Sequence, residues 1–467
     1  MEFETIRNRI RGRMQERGIH PAATEEYVRR AALVHRGFTG KIPWPEIAAP
    51  DSSDTVHFEE IRDEARPEDL AQLVVIKLNG GLGTSMGLSK AKTLLPVKDG
   101  VNFLGIIRNQ IERMRKLYSA PVPLLFMNSF ATHEDTLAEP GIAQINEGVA
   151  DDLPVAFLQN WVPRLRADDL LPLEAKVEEE GWCPPGHGDI YLSLQTSGIL
   201  DKLLAKGFRV AFLSNGDNLG ASIDGHILRW FLTQGLDFAM EVTPKTEADL
   251  KGGALFHHRP AHGASRLGLL EIAQVEEGHE NDFQDTSRFP HFNTNNLWVH
   301  LESLRDRLAK GLELPVIVNP KVVEGTKVLQ LETAMGAAIG SFERTRGLVV
   351  PRTRFAPVKT NADLLVRRSD CYVVRENDGT LVRNPARTLG EPTVTLGAAY
   401  KKIDDFDALF AVVPSLVDAE ALTVEGRIRF DRPVRVRGRV TFRHSGEDTV
   451  NVSALGRDVF ENETVTL

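Results

Sequence analysis

Short β-branched and apolar runs recur along this chain, with helix-spaced apolar patterns between them. LVVIKL, from Leu73, ends in a glycine-rich turn. In Asn102 to Tyr118, NFLGIIRNQIERMRKLY, residues Phe103, Ile106, Ile107, Ile111, Met114 and Leu117 recur at helical spacing. VPLLFM, Val122 to Met127, is strand-like again, and RVAFLS, DFAMEV, GLLEIAQV and NNLWV repeat the theme downstream. This alternation predicts an α/β fold, a sheet with helices on both faces. Ligands of such sheets sit beyond the carboxyl ends of the strands. Loops that follow strands are therefore the places to look for chemistry.

The flanks read differently. Residues 1–45 form a polar helical lead-in, two periodic stretches meeting at Gly18 and Pro21, expected to carry little chemistry of its own. Residues 46–397 hold the α/β pattern. From 398 to 467 the chain reads as a small all-β module, either coils of a β-helix or a short meander. Its segment LTVEGRIRFDRPVRVRGRVTFRHSGEDTVNV alternates apolar with charged residues and shows no helical pattern. A structural or assembly role is expected for it, with a homo-oligomer through this module as one outcome.

A net charge of −9 argues against a general nucleic-acid binder but leaves room for a small anionic ligand held by local lysines. No apolar run approaches the ~20 residues that span a bilayer, so no membrane association is expected. The charged start MEFETIRNRIRGRMQERG lacks a signal core, and the two cysteines, Cys183 and Cys371, imply no disulfide framework. A cytoplasmic location follows as the expectation.

The most informative loop is KLNGGLGTSMGLSKAK, Lys77 to Lys92. Glycines 80, 81, 83 and 87 leave backbone N–H groups open to anionic oxygens. Thr84 and Ser85 add hydroxyls, and Lys90 and Lys92 add charge. It is not a Walker A loop, and Met86 stands where a Rossmann fingerprint needs its third glycine. The plain alternative is a tight strand-to-helix turn. Gly83-Thr84-Ser85-Met86-Gly87 also fits the short pattern of a hydrolase nucleophile elbow.

Other loops carry candidates, each with a bland alternative. His187 lies between glycines in WCPPGHGDIY and could donate to a phosphate oxygen. Asn215 and Asp217 follow a strand in FLSNGDNLG. A carboxylate there suits Mg²⁺ beside a triphosphate, or caps a turn or helix. Asn293, Asn295 and Asn296 begin a strand in FNTNNLWV, where amides suit sugar hydroxyls or simply form turns. Arg352, Arg354 and Lys359 sit among prolines in VPRTRFAPVKTNADL, which suggests a fixed loop aiming Lys359. Zinc spacing is absent.

Taken together and in order, LNGGLGTSMG, VPLLFMNSFATHEDT, PPGHGDIY, SNGDNLGA, MEVTPKTEADLKGG, LLEIAQV, FNTNNLW, QLETAMGAAI and PRTRFAPVKTNADLL resemble the eukaryotic-type UTP–glucose-1-phosphate uridylyltransferases. The resemblance runs from about Leu73 to Asp370. It implies a Rossmann-like (GT-A-like) nucleotidyltransferase domain with a mixed sheet, followed by a β-helix domain. It also implies Mg²⁺ and the reaction of UTP with glucose 1-phosphate to UDP-glucose and pyrophosphate.

Matching positions imply that UTP meets Leu78, Asn79, Gly80, Gly81, Lys92, Gln159, Gly186, Asp217 and Lys359. Glucose 1-phosphate would meet Gly81, His187, Asn215, Gly216, Asp217, Glu271 and Asn295. Asp217 would bind the metal, and Lys92 and Lys359 would act on the triphosphate. The family usually has Gly-Pro-Lys where this chain has Lys90-Ala91-Lys92, which leaves open which lysine reaches phosphate. A sister group that uses N-acetylglucosamine 1-phosphate carries Arg-Leu-Gly in the loop, against Ser85-Met86-Gly87 here. A non-catalytic sensor on the same fold should lack Lys359 or Asp217, and both are present.

Overall fold

Along Leu73–Asn79 the side chains alternate between two cores. Leu73 and Val75 face one, Val74 and Ile76 the other, and all four are buried. A strand apolar on both faces belongs in the middle of a covered sheet. The structure, a computed structural model, describes residues 2–64, 66–377 and 379–467, with every side chain there except those of Ser85 and Ala248.

The central sheet has eight strands. They are β1 (Thr55–His57), β2 (Leu73–Asn79), β3 (Leu124–Asn128), β4 (Ala156–Leu158), β5 (Val210–Asn215), β6 (Phe238–Pro244), β7 (His291–His300) and β8 (Thr345–Val349). Their spatial order is β1-β8-β6-β7-β5-β2-β3-β4. Only β7 runs antiparallel to its neighbours, β5 and β6; the other pairings are parallel. The sheet is thus mixed.

Helices cover both faces. Phe103–Tyr118 and Gly225–Thr233 pack with Val75, Phe126 and Phe212 on one side. Ile190–Thr196, Ile199–Ala205 and Leu301–Ala309 pack with Ile76, Leu125 and Leu213 on the other. Asn102 caps the first of these helices, its Oδ1 accepting from the Gly105 N–H at 2.8 Å.

Two sequence expectations need correction. GLLEIAQV is not one strand. The strand Arg266–Leu270 stops at Glu271, which opens a 3₁₀ turn over Ile272–Gln274 with a reciprocal capping box to Gln274. The C-terminal part is also not purely β. Ile403–Leu409 is a helix that buries Ile403, Phe406 and Leu409, a helical spacing just ahead of the strands.

The strand Thr393–Leu396 ahead of that helix and Ser415–Glu425, Arg435–Arg443 and Val459–Thr466 beyond it form a four-stranded sheet, parallel throughout. The lead-in is α1 (Phe3–Glu16) and α2 (Pro21–His35). Ile6, Ile10, Met14, Tyr27 and Val28 pack against Val162, Trp182 and Leu331 in a separate core. No helix among the described residues is long and apolar enough to cross a membrane.

Candidate active site

Strands β5, β2, β3 and β4 lie side by side and run parallel, so their carboxyl ends share one edge. A cleft of about 330 Å³ opens there. It is lined by Leu78, Asn79, Gly80, Gly81, Lys92, Thr93, Met127, Gln159, Pro184, Gly186, His187, Asn215 and Asp217. Most of the residues expected at the site therefore meet in one place. A larger groove, about 760 Å³, runs between α1 and Leu171–Glu174 and holds none of them.

The glycine-rich loop is built for close approach. A Cβ on Gly80 would lie 3.2 Å from Gln159 Nε2, whereas Gly81 faces open space. Gly83 and Gly87 have φ of 67° and 77°, the left-handed region that favours glycine. The chain turns through a 3₁₀ segment, Thr84–Met86, and returns so that the Lys92 N–H donates to the Gly81 carbonyl at 3.2 Å. This is not a nucleophile elbow: the strand ends at Asn79 and the first α-helix after Ser85, whose side chain lies outside the described residues, starts only at Phe103.

Lys92 Nζ sits 2.5 Å from Asp217 Oδ2. Lys90 is exposed and does not line the cleft. Asn79 lines the cleft, but its side chain is tied down by its neighbours. Its amide donates to Asn128 Oδ1 at 3.0 Å and Thr136 Oγ1 at 2.7 Å, and its Oδ1 accepts from Thr93 Oγ1 at 2.6 Å. That side chain is spent on holding the loop's base.

His187 is fixed from behind. Gly186 has φ 85°, and a Cβ there would strike the Thr333 backbone, its nitrogen at 2.6 Å. This packing brings the Met335 N–H to His187 Nδ1 at 3.0 Å. Nδ1 accepts, so the neutral ring carries its proton on Nε2. Burial pushes the imidazole pKa down to about 4, although His187 is half-buried and still lines the cleft. His187 thus offers a donor without a charge.

Asp217 follows β5 in a turn closed by Asn218 N–H to the Asn215 carbonyl, 3.2 Å. It caps no helix, since the next one, Gly225–Thr233, is capped by Asp224. Asp217 is the one carboxylate among the described residues lining the cleft. Mg²⁺ commonly takes one or two carboxylates plus phosphate oxygens, so this donor set fits that ion. The His/Asp group able to hold a metal among the described residues, Asp51, Asp54 and His257, lies outside the cleft lining. Gly216 supports the wall without lining it: its N–H donates to the Leu78 carbonyl at 2.8 Å.

Glu271, Asn295 and Lys359 do not line the cleft, and Glu271 lies close enough to Lys359 to feel its charge. Burial pushes the Glu271 carboxyl up, and the Lys359 ammonium opposes that shift from nearby. A Cβ on Gly253 would lie 2.7 Å from Glu271, and the Gly253 carbonyl accepts from the Asn293 N–H at 2.7 Å. Asn295 has φ 59° in a bulge where β7 slips register against β6, and its Oδ1 accepts from Asn293 Nδ2 at 2.7 Å.

Three contributors escape sequence reading. Thr93, Met127 and Pro184 line the cleft; Pro184 at least stands in the motif PPGHGD. The lead-in is not inert. Arg30 donates to the Pro185 carbonyl at 3.3 Å, Tyr27 to the Pro163 carbonyl at 2.5 Å, and the Arg17 guanidinium lies 4.3 Å from the Trp161 ring centre. These contacts brace both segments of the wall around Gln159 and His187.

Residues 25–437 match the family model for UTP–glucose-1-phosphate uridylyltransferase. A relative of that name from Hordeum vulgare is 43% identical over 426 residues, 88% of this chain and 87% of the relative. One from Saccharomyces cerevisiae is 38% identical over 448 residues, covering 94% and 87%. Among solved structures, a mutant UDP-glucose pyrophosphorylase of Leishmania major in complex with UDP-glucose superposes with a TM-score of 0.90, 37% identity and full coverage of both chains. A UDP-glucose phosphorylase from Trypanosoma brucei gives 0.87 at 40% identity, covering 99% of this chain and all of the other. The chain belongs to the UTP–glucose-1-phosphate uridylyltransferase family.

Proposed function

We propose that this protein transfers uridylyl from UTP to glucose 1-phosphate, giving UDP-glucose and pyrophosphate. The observation that carries the proposal is the cleft itself. Bare glycine backbone, a 2.5 Å lysine–aspartate pair and a neutral histidine donor meet at the strand ends. The names and coverage of the relatives support it.

A phosphate oxygen of glucose 1-phosphate attacks the α-phosphorus of UTP in line with the leaving pyrophosphate. The P–O bond to the β-phosphate breaks and its electrons leave with pyrophosphate. A sugar phosphate is already a nucleophile near neutral pH, so no general base is required. The protein has to align the two phosphates and neutralise the charge that shifts onto the leaving group.

Leu78 to Gly81 with Gln159 and Gly186 would receive uracil and ribose. Lys92, released from Asp217, and Lys359 would meet the triphosphate. His187 Nε2–H would donate to glucose 1-phosphate, beside Asn215 and Gly216. Glu271 and Asn295 would hold sugar hydroxyls. Asp217 would hold Mg²⁺, which when bound draws charge from the phosphate oxygens.

The finer architecture belongs to the same reading. Residues 1–45 would be a bracing lead-in, 46–397 the GT-A-like catalytic domain and 398–467 a β-helix domain, as its purely parallel pairings suggest. The unpaired edge at Val459–Thr466 would serve a homo-oligomer. Two buried free thiols suit the cytoplasm.

A panel of sugar 1-phosphates and nucleoside triphosphates with Mg²⁺, read by pyrophosphate release, tests the assignment. UTP with glucose 1-phosphate should be fastest, and N-acetylglucosamine 1-phosphate outrunning it would overturn the substrate. Lys359→Ala should lower turnover more than it weakens UTP binding; unchanged turnover would remove that residue from the chemistry.

A further inference from the structure

Glu241 lies in the middle of β6, fully buried, with both oxygens saturated. Oε1 accepts from Arg354 Nη2 at 2.7 Å and Trp298 Nε1 at 3.0 Å. Oε2 accepts from Arg354 Nε at 2.8 Å and Asn296 Nδ2 at 2.9 Å. The Arg354 pair is bidentate, the geometry that fixes a guanidinium in plane as well as in place.

Arg354 belongs to the loop that ends in Lys359, yet its bonds reach the loop that begins at Asp217. Its Nη2 donates to the Ser222 carbonyl at 2.9 Å. Its own carbonyl accepts from Asn218 Nδ2 at 3.2 Å and Asn296 Nδ2 at 3.3 Å. Asn218 Oδ1 accepts the Ala356 N–H at 2.8 Å, and Asn218 forms a β-bridge with Pro357. The two backbones run so close that a Cβ on Gly220 would lie 2.5 Å from the Thr353 carbonyl.

Lys77 Nζ ties the same loop from below, donating at 2.7 Å to Ser214 Oγ and to the Ala221 carbonyl. Burial, with the Arg354 charge nearby, pushes the Lys77 pKa down to about 7. A buried arginine–glutamate pair with a buried lysine beside it is a poor choice for stability alone, since well-packed apolar residues serve a core at least as well as a buried ion pair.

We propose that Arg354, clamped by Glu241, is a positioning residue that sets Lys359 and Asp217 at a fixed separation so that both face one polyphosphate. The inference rests on the reaction assigned above. Asn218 follows Asp217 directly and Pro357 stands two residues before Lys359. The clamp therefore acts within a few bonds of both charges without itself lining the cleft. The other end of the loop is fixed separately, by Arg352 paired with Asp249 at 2.5 Å.

The test is a double-mutant cycle on the full chain, with kcat, KM for UTP and Mg²⁺ dependence measured on protein shown folded by circular dichroism. Arg354→Met and Arg354→Lys should each lower kcat about 30-fold or more while KM for UTP stays within about threefold, since the nucleotide wall is elsewhere. In a Lys359→Ala background the same changes should cost less than about threefold further, because the separation the clamp sets has then lost its lysine end. Should Arg354→Met fail to fold, Arg354→Lys and the isosteric Glu241→Gln carry the same thresholds. A folded variant with near-normal kcat, or losses that multiply in full with Lys359→Ala, would overturn the proposal. A wild-type chain that forms no UDP-glucose overturns the assigned reaction instead, so the two failures are distinguishable.

Discussion

His187 keeps a donor and gives up a charge. The Met335 N–H occupies Nδ1, and burial holds the ring pKa near 4. Unfolded, the same ring takes up its proton near 6.5. Between those values the unfolded chain binds a proton that the native chain refuses, so stability falls as pH drops from 6.5 toward 4. His187→Leu removes this penalty. The wild type should lose about 2 kcal/mol more stability than the variant between pH 7 and pH 4.5, measured by denaturant unfolding. Equal losses would refute the neutral ring. The variant should also lower kcat/KM for glucose 1-phosphate by about 10- to 100-fold at pH 7, the scale of one lost hydrogen bond to a charged partner. Above pH 5 its loss should not vary with pH, because the wild-type ring is already neutral there.

At the scale of elements, the sheet was legible and the bracing was not. LVVIKL, VPLLFM, RVAFLS and DFAMEV announce β2, β3, β5 and β6 because each is a short apolar run between turn signals. Glycine-rich loop, His187 and Asp217 were legible too, since each stands just beyond a strand or in a glycine frame. Arg354 and Asn296 were not. In sequence they resemble a charge cluster and a turn asparagine. Their partner Glu241 stands more than a hundred residues before Arg354, and no local spacing records that pairing. The lead-in hid its role for the same reason. Its helices are amphipathic in an ordinary way, but Arg30 of α2 crosses to the Pro185 carbonyl, one residue from Gly186. Arg30→Ala removes one of that carbonyl's two donors, the Thr333 N–H remaining at 3.0 Å, at a cost of about 0.5–1.5 kcal/mol. It should lower kcat/KM about 5- to 20-fold by loosening the wall behind His187. Arg11→Ala, which breaks an exposed pair between α1 and Glu25 of α2, should stay within about twofold in activity and 1 kcal/mol in stability. Steady-state kinetics and thermal unfolding of the two variants side by side decide between a braced wall and a passive appendage.

Over the whole molecule, the C-terminal strands are built onto the sheet rather than hung from it. One apolar core runs from Val75, Phe126 and Phe212 through Leu364 and Tyr372 to Phe406, Phe430 and Phe460 without a break. Inside the terminal part, Phe406, Phe410, Phe430, Phe442 and Phe460 form a ladder with successive ring centres 4.8–5.3 Å apart. Polar ties cross the same boundary. Asp370 accepts from the Leu416 and Val417 N–H groups at 2.8 and 3.0 Å. Buried Arg387 donates to the carbonyls of Leu416, Val417 and Ala419 at 2.8–2.9 Å. Asn361, two residues after Lys359, donates to the Tyr400 carbonyl at 2.7 Å. Ending the chain at residue 397 would bare the apolar face that meets this ladder, strip Asp370 and Asn361 of these partners and leave Arg387 only the Gly390 carbonyl. Each unpaired buried group costs about 1–3 kcal/mol, and a domain's net stability is only about 5–15 kcal/mol. A chain of residues 1–397 should therefore not fold to a soluble monomer, and the full chain should unfold in a single transition. Size-exclusion chromatography of the shortened chain and calorimetry of the full one check both. A soluble, cooperatively folding 1–397 chain would show that the catalytic part owns a separate core and that Lys359 stands without the strands that follow it.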